Sequence, residues 1–191
     1  DGEEVDIFVP LVTPAQMLPS LADHVERRLH YPAPSFRPSG ADGDSVFVRV
    51  PIDFRTTPET WAPIVATASV DGPPGFAPWV TITATPSELW FASGDPADPG
   101  LVARCSGEAA IAGYVAEAPG GCSYTFANAS TTVPSGVFPA ELGIAWDVTY
   151  ESSDGPGTLD MAPTITPAPV QVEEIKGLVT CTGSRPTQGS C

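Results

Sequence analysis

The stretch from Val137 to Glu151 alternates between apolar side chains and small or polar ones, and it limits the possible folds more than any other segment. One side of the alternation carries Phe138, Ala140, Leu142, Ile144, Trp146, Val148 and Tyr150. A period of two is typical of a strand with one buried face. The stretch therefore predicts a long, half-buried strand, bent or bulged near Gly143.

Shorter segments of strand character are predicted at residues 45–50, 61–70, 79–93 and 122–126, and within 164–179. The 23 prolines and 18 glycines follow no collagen-like period and lie between these apolar segments. This arrangement favours a loop-rich β protein over a disordered chain. Many short strands, Gly/Pro turns and little helix predict a mainly β fold, an antiparallel β-sandwich.

The N-terminal segment "EEVDIFVPLV" also has a period of two, because it places Val5, Ile7, Val9 and Leu11 on one side. Pro10 lacks a backbone N–H and confines such a strand to the edge of a sheet. The segment is therefore either an edge strand of its own chain or an extended arm that adds to the open edge of a neighbour.

A short helix is predicted after this segment. Ser20 is the expected N-cap, Leu21, Val25 and Leu29 follow at helical spacing, and Pro32 ends the helix. The histidines of this helix, His24 and His30, are six residues apart and do not share a face as paired metal ligands would. We interpret them as surface or cap residues, with a functional pair as the alternative.

The chain has four cysteines: Cys105, Cys122, Cys181 and Cys191. Sequence proximity favours the pairs Cys105–Cys122 and Cys181–Cys191 among the possible connectivities. Zinc binding is disfavoured because there is no C-x-x-C motif and both histidines are far from the cysteines in sequence. Disulfides indicate an oxidising location, outside the cytoplasm or in the cell envelope.

The chain is strongly acidic, with 23 Asp and Glu against 8 Lys and Arg and a formal net charge of −15. Such a surface repels nucleic acids and anionic lipids, so neither is an expected partner. No apolar run approaches the roughly 20 residues that span a bilayer, so membrane insertion is not expected. The acidity serves solubility, or else it provides a face for cations or a basic partner.

Aromatic residues and Gly-containing turns alternate in a fixed order along part of the chain: Trp90, then Gly94-Asp95, then Tyr124 and Phe126, then Gly136-Val137-Phe138. Over roughly residues 60–151 this order resembles the polycystic-kidney-disease (PKD) type of immunoglobulin-like domain. The resemblance implies that the Gly94-Asp95 turn is structural, with the Asp95 carboxylate accepting hydrogen bonds from turn amides. The alternatives for Asp95 are a Ca²⁺ site with Asp98 and Glu108 and, last, a catalytic carboxylate. We predict no metal and no cofactor.

A second resemblance covers more of the chain. The segments "SVFVRVPIDF", "SELWFASGD" and "WDVTYESSDGPGTL" are similar to those of a group of exported actinobacterial proteins with a PKD-like core and two cysteines. This resemblance implies export and supports a Cys105–Cys122 disulfide. The predicted organisation is an arm, short helix and Pro-rich connection over 1–44, a PKD-like sandwich over 45–180, and a polar tail over 181–191 that a disulfide ties back.

Motifs of common hydrolases, such as G-x-S-x-G and H-E-x-x-H, do not occur, and there is no phosphate-binding G-x-x-x-x-G-K-[ST] loop. We therefore expect no enzyme and no catalytic residues, but an exported structural or interaction protein of the bacterial cell envelope. Its arm would make it a self-assembling, filament-like surface subunit.

The alternative function is an accessory module that binds a cell-wall glycan or a protein partner through exposed aromatics. Large aromatics at strand positions are usually core residues. Trp79 follows a Pro-rich turn and is the tryptophan expected to be exposed and available for ligand stacking.

Overall fold

The computed structural model describes residues 12–37, 46–71, 77–100, 102–107, 109–112 and 122–174. Several predictions concern residues outside these ranges. They are the arm residues Val5, Ile7, Val9 and Leu11, the tail cysteines Cys181 and Cys191, and Glu108 of the alternative Ca²⁺ site.

Short strands dominate the described residues. Their bounds are β1 Ser35–Arg37, β2 Val46–Phe47, β3 Pro51–Arg55, β4 Ile64–Ser69, β5 Trp79–Ala92, β6 Val102–Cys105, β7 Ser123–Thr125, β8 Glu141–Ser152, β9 Gly157–Leu159, β10 Thr164–Pro167 and β11 Val172–Glu173. The helical elements are α1 Pro14–Glu26, the short α2 Ala109–Ala112 and a 3₁₀ turn at Ser130–Thr132. All described strand pairs except β2–β11 are antiparallel. The prediction of a mainly β, antiparallel fold is confirmed, whereas the PKD-like identity stays a prediction.

Six strands form the main sheet, in the order β10-β8-β5-β4, with β6 pairing with β5 and β9 with β8. Its two long central strands, β5 and β8, pair along almost their full length. The alternation in β8 agrees with burial, since Leu142, Ile144 and Val148 are buried while Asp147 and Thr149 are exposed. We call the face with the buried residues the inner face and the opposite one the outer face.

The bulge predicted near Gly143 lies on the partner strand instead. The register between β5 and β8 shifts between Pro86 and Glu88, so Ser87 is the extra residue. Pro86 has no N–H for the ladder, which makes this a natural place for an irregularity. Gly143 stays in register opposite Trp90, and a Cβ at this glycine would overlap the indole ring.

Helix α1 covers the inner face beside β4 and the first half of β5. The predicted start after Ser20 is wrong, because the helix begins at Pro14 with Thr13 as its N-cap. Proline is favoured at the first helical position, and the Thr13 N–H donates to Gln16 Oε1 at 2.9 Å, as in a capping box. Pro19 is tolerated inside the helix at the loss of one backbone hydrogen bond.

A second, small sheet of three strands, β1-β3-β7, covers the inner face over the second half of β5. Phe91 of β5 is at the centre of the contact, with ring centroids 5.4 to 6.3 Å from those of Phe36, Phe54, Tyr124 and Phe126. A disulfide joins Cys105 of β6 to Cys122 just before β7, in agreement with the pairing that sequence proximity favours. The bond therefore connects the main sheet to the small sheet.

Candidate functional site

Strand β4 forms one edge of the main sheet and, among the described residues, pairs with β5 alone. Just past its end, the Val70 N–H donates to Pro78 O at 3.0 Å. Because hydrogen-bonded and non-bonded pairs alternate in an antiparallel ladder, the backbone groups of Ala66 and Ala68 also face β5. Those of Val65, Thr67 and Ser69 therefore face the open edge.

The other edge strands of the main sheet are shorter or carry residues that discourage pairing. β9 has 3 residues, and β6 and β10 have 4 each. β6 includes Arg104, and β10 ends in Pro167. β4 has 6 residues, "IVATAS", without a charge or a proline. Native proteins usually protect an edge by short length, charge or proline, so β4 is the unprotected edge among the described strands of this sheet.

A groove of about 650 Å³ runs between α1 and β4. On the strand side it is lined by Ala66 and Ala68, whose small side chains leave the space open. On the helix side its lining includes Met17 and Leu21, and Leu21 is 8% exposed. An added strand at the edge of β4 would therefore lie next to apolar surface.

Two basic side chains, His24 and Arg28, also line this groove. They stand out in a chain with only 8 Lys and Arg residues. The ion pair found within the described parts of the chain joins Arg104 to Glu88, on the other half of the sheet. Polar side chains also line the groove, those of Gln16, Ser20 and Thr67. The groove thus combines apolar patches and polar groups with basic side chains near the end of the helix.

The Gly94-Asp95 turn lies away from the groove, beyond the last residue of β5. Gly94 has a φ of 65°, and a Cβ there would come within 2.7 Å of the Pro139 carbonyl oxygen, so glycine is required. Asp95 is 2% exposed. Its Oδ1 accepts the Ala97 N–H at 2.9 Å, and its Oδ2 accepts Asn128 Nδ2 at 3.3 Å. This is the geometry of a carboxylate that caps a turn.

The alternative of a Ca²⁺ site at Asp95 and Asp98 gains no support from the described residues. Within the ranges that the structure describes, no three His, Cys, Asp or Glu residues lie close enough to hold a metal ion. Tyr124 lies near Asp95 and Asp98, and its buried hydroxyl has the Ser93 side chain beside it but makes no well-formed hydrogen bond among the described residues. Burial is the main cause that raises the pKa of Tyr124; the Ser93 side chain lowers it, and the carboxylates of Asp98 and Asp95 raise it further.

Trp79 is the most exposed of the four tryptophans, at 37%. It is the first residue of β5 and lies on the outer face. Its cross-strand partner is Ser69, the last residue of β4. Beside it, the hydroxyls of Thr67 and Thr81 are 2.8 Å apart. Trp146, in contrast, is buried, and its Nε1 donates to Thr164 Oγ1 at 3.2 Å.

The two histidines are not brought together. His30 follows α1 and packs edge-on against Trp146, with ring centroids 6.4 Å apart. Its Nδ1 is 3.3 Å from the Thr60 carbonyl oxygen. His24 is exposed on the groove. A paired role for the histidines therefore has no geometric basis.

Neither a family model, nor a curated protein, nor a solved structure matches this chain. None of the helices in the described ranges is long and apolar enough to cross a membrane. The groove and the unprotected edge were not predicted from the sequence, although β4 was expected as a strand. The available signal was a strand segment without charge or proline, but only the pairing shows that it is an edge.

Proposed function

We propose that the chain is a non-enzymatic, exported structural or interaction protein of the bacterial cell envelope that assembles by strand addition at β4. The observation that carries this proposal is the unprotected edge, where the backbone groups of Val65, Thr67 and Ser69 face outward. The Cys105–Cys122 disulfide supports the exported location, since such bonds persist in oxidising compartments.

Strand addition would satisfy these outward groups with backbone hydrogen bonds of about 1 kcal/mol each. The apolar surface beside the edge adds to this, because each fully buried Val, Ile or Leu side chain contributes about 1.5–3 kcal/mol. An extended partner segment with alternating apolar side chains uses both contributions. The arm residues Val5, Ile7, Val9 and Leu11 have this pattern.

The test compares Thr67→Pro with Thr67→Val. Proline removes an outward N–H and is tolerated where the N–H does not pair with the neighbouring strand. Valine keeps the N–H, while both substitutions remove the hydroxyl that contacts Thr81. Light scattering on the non-reduced chain is expected to show an assembly for the wild type and Thr67→Val, and a monomer for Thr67→Pro.

Two results would contradict this function. The first is a wild-type chain that stays monomeric at all concentrations tested. The second is an assembly that Thr67→Pro leaves unchanged. Circular dichroism of the proline variant must match that of the wild type, so that loss of assembly is not loss of folding.

A second candidate function is supported by the exposure of Trp79: an accessory module that binds a cell-wall glycan or a protein partner. Exposed tryptophan rings stack on sugars and pack at interfaces. A shift in tryptophan fluorescence on adding soluble glycans, lost in Trp79→Ala and retained in Trp79→Phe, would support it. No response to a broad glycan panel would remove the glycan version.

A further inference from the structure

We propose that the groove between α1 and β4 binds residues 3–11 of a second copy of this chain, added as a strand parallel to β4. This inference rests on the proposed strand addition and names the donor. Three properties of the site support it: its apolar patches, its charge and the direction of the helix.

The apolar lining fits the alternation of the N-terminal segment. A strand paired with β4 directs every second side chain toward the inner face, on which α1 lies. There it meets Met17, Leu21 and the small side chains of Ala66 and Ala68. The matching side of the donor carries Val5, Ile7, Val9 and Leu11.

The direction of α1 follows from contacts at its two ends. Pro14 and Ala15 line a small pocket with Val80, the residue that pairs with Ala68 near the end of β4. His30, just beyond the helix, packs against Trp146, which pairs with Pro86 of β5. The helix therefore runs from the Ser69 end of β4 toward its Ile64 end.

Charge selects the direction of the added strand. His24 and Arg28 lie in the second half of the helix and just past it, near the start of β4. Of the acids at the front of the donor segment, Asp1 and Glu3 share a side with the apolar residues and so face α1, whereas Glu4 and Asp6 point to the outer face. A donor parallel to β4 places Asp1 and Glu3 near the basic groups, whereas an antiparallel donor places them at the opposite end of the groove.

The donor is taken from a second copy because the proposed function is assembly by strand addition at β4. Docking within one chain is the alternative, since residues 3–11 precede α1 directly and Thr13 is extended, with φ −98° and ψ 158°, as an N-cap after a short strand-to-helix connection is. The peptide and deletion experiment separates the two arrangements. Each copy has one donor and one groove, so exchange between copies either closes as a reciprocal dimer or propagates head-to-tail.

The first experiment uses the full chain with a charge reversal. Arg28→Glu is expected to weaken self-association about fivefold at low ionic strength, and the difference should shrink as salt is added. The matched control is Arg27→Glu, since Arg27 is the exposed neighbour that does not line the groove. Glu3→Lys should restore association in the Arg28→Glu background, whereas Glu4→Lys, on the opposite side of the donor strand, should not.

The second experiment identifies the donor with a synthetic peptide of residues 1–12. An excess of this peptide is expected to dissociate the assembly, and a peptide with Val5, Ile7, Val9 and Leu11 replaced by Ser should not. Deleting residues 1–11 should give a monomer that binds the peptide. The deletion stops before the N-cap Thr13 and leaves intact the buried core, which begins at Leu21.

The outcomes separate this inference from the proposed function. If Thr67→Pro abolishes assembly but the deletion does not, strand addition stands and residues 3–11 are not the donor. If Arg27→Glu and Arg28→Glu weaken association equally, the charge argument is wrong. A monomeric full chain that excludes the peptide, beside a deleted form that binds it, would show docking within one chain and overturn the second-copy arrangement.

Discussion

At one end of the main sheet, beyond the bulge at Ser87, a second sheet packs on the inner face, aromatic rings interlock around Phe91 and a disulfide ties the layers together. At the other end, among the described residues, α1 covers the inner face, and a groove and an edge with no partner strand lie beside β4. The same two long strands, β5 and β8, run through both ends. The closed end therefore carries the more extensive packing, and the open end is where the proposed strand addition would take place.

The largest expected effect is at the centre of the closed end. Phe91→Ala removes a fully buried ring with four aromatic neighbours and is expected to lower the free energy of unfolding by about 3–5 kcal/mol. Leu21→Ala at the open end should cost less, about 2–3 kcal/mol, because this side chain borders a groove. Urea denaturation measures both, and a larger loss for Leu21→Ala would reverse the comparison.

The disulfide provides the next test of the closed end. Its cysteines are 17 residues apart, and a loop of this length corresponds to about 3 kcal/mol in the chain-entropy model. Replacing Cys105 and Cys122 together by Ala should lower the urea midpoint accordingly. Equal midpoints for the double variant and the non-reduced wild type would show that the closed end does not depend on the cross-link.

Gly143→Ala tests the packing of the outer face on the same half of the sheet. The new methyl group would overlap the ring of Trp90, and overpacking of this kind costs about 1–3 kcal/mol. The substitution should cost much less in a Trp90→Ala background, where the ring is removed. Equal costs in both backgrounds would mean that the glycine is required for another reason.

The smallest effect concerns Tyr124, whose buried hydroxyl lies beside the Ser93 side chain and makes no well-formed hydrogen bond among the described residues. Tyr124→Phe removes this group and keeps the ring, so it should leave stability unchanged or raise it by up to about 1 kcal/mol. Because burial raises the pKa of Tyr124, the folded chain holds its proton at a pH where the unfolded chain has lost it. Wild-type stability should therefore fall as the pH rises above about 10, and the Phe variant should fall less. A loss of more than about 1 kcal/mol at neutral pH would reveal a partner for the hydroxyl.

The strand pattern of this chain was largely predictable because alternation is a local property. The buried side of β8 consists of the residues that the sequence indicated, from Leu142 to Val148. The helix start was missed by seven positions, although Thr13, Pro14 and Gln16 form a recognisable start signal. The strand predicted at residues 45–50 is reduced to Val46–Phe47, because Arg49 takes a left-handed conformation, with φ 64°, and turns the chain.

The candidate site was less predictable than the fold. The exposure of Trp79 and the turn around Asp95 concern residues close in sequence, and local motifs indicated both. The groove combines α1 with β4, which are separated by three other strands along the chain. No local pattern specifies that α1 packs beside β4 and leaves space there.

The sequence by itself determined the β class, the buried side of the longest alternating strand and the cysteine pair that proximity favoured, because each depends on neighbours along the chain. Only the tertiary structure decided which strand is an unprotected edge, where the bulge lies and where a groove remains open. Those features depend on which distant segments pair and on how much of each face they cover. Val65, Thr67 and Ser69 illustrate this point, since their outward backbone groups follow from the register with β5 and not from their own identity.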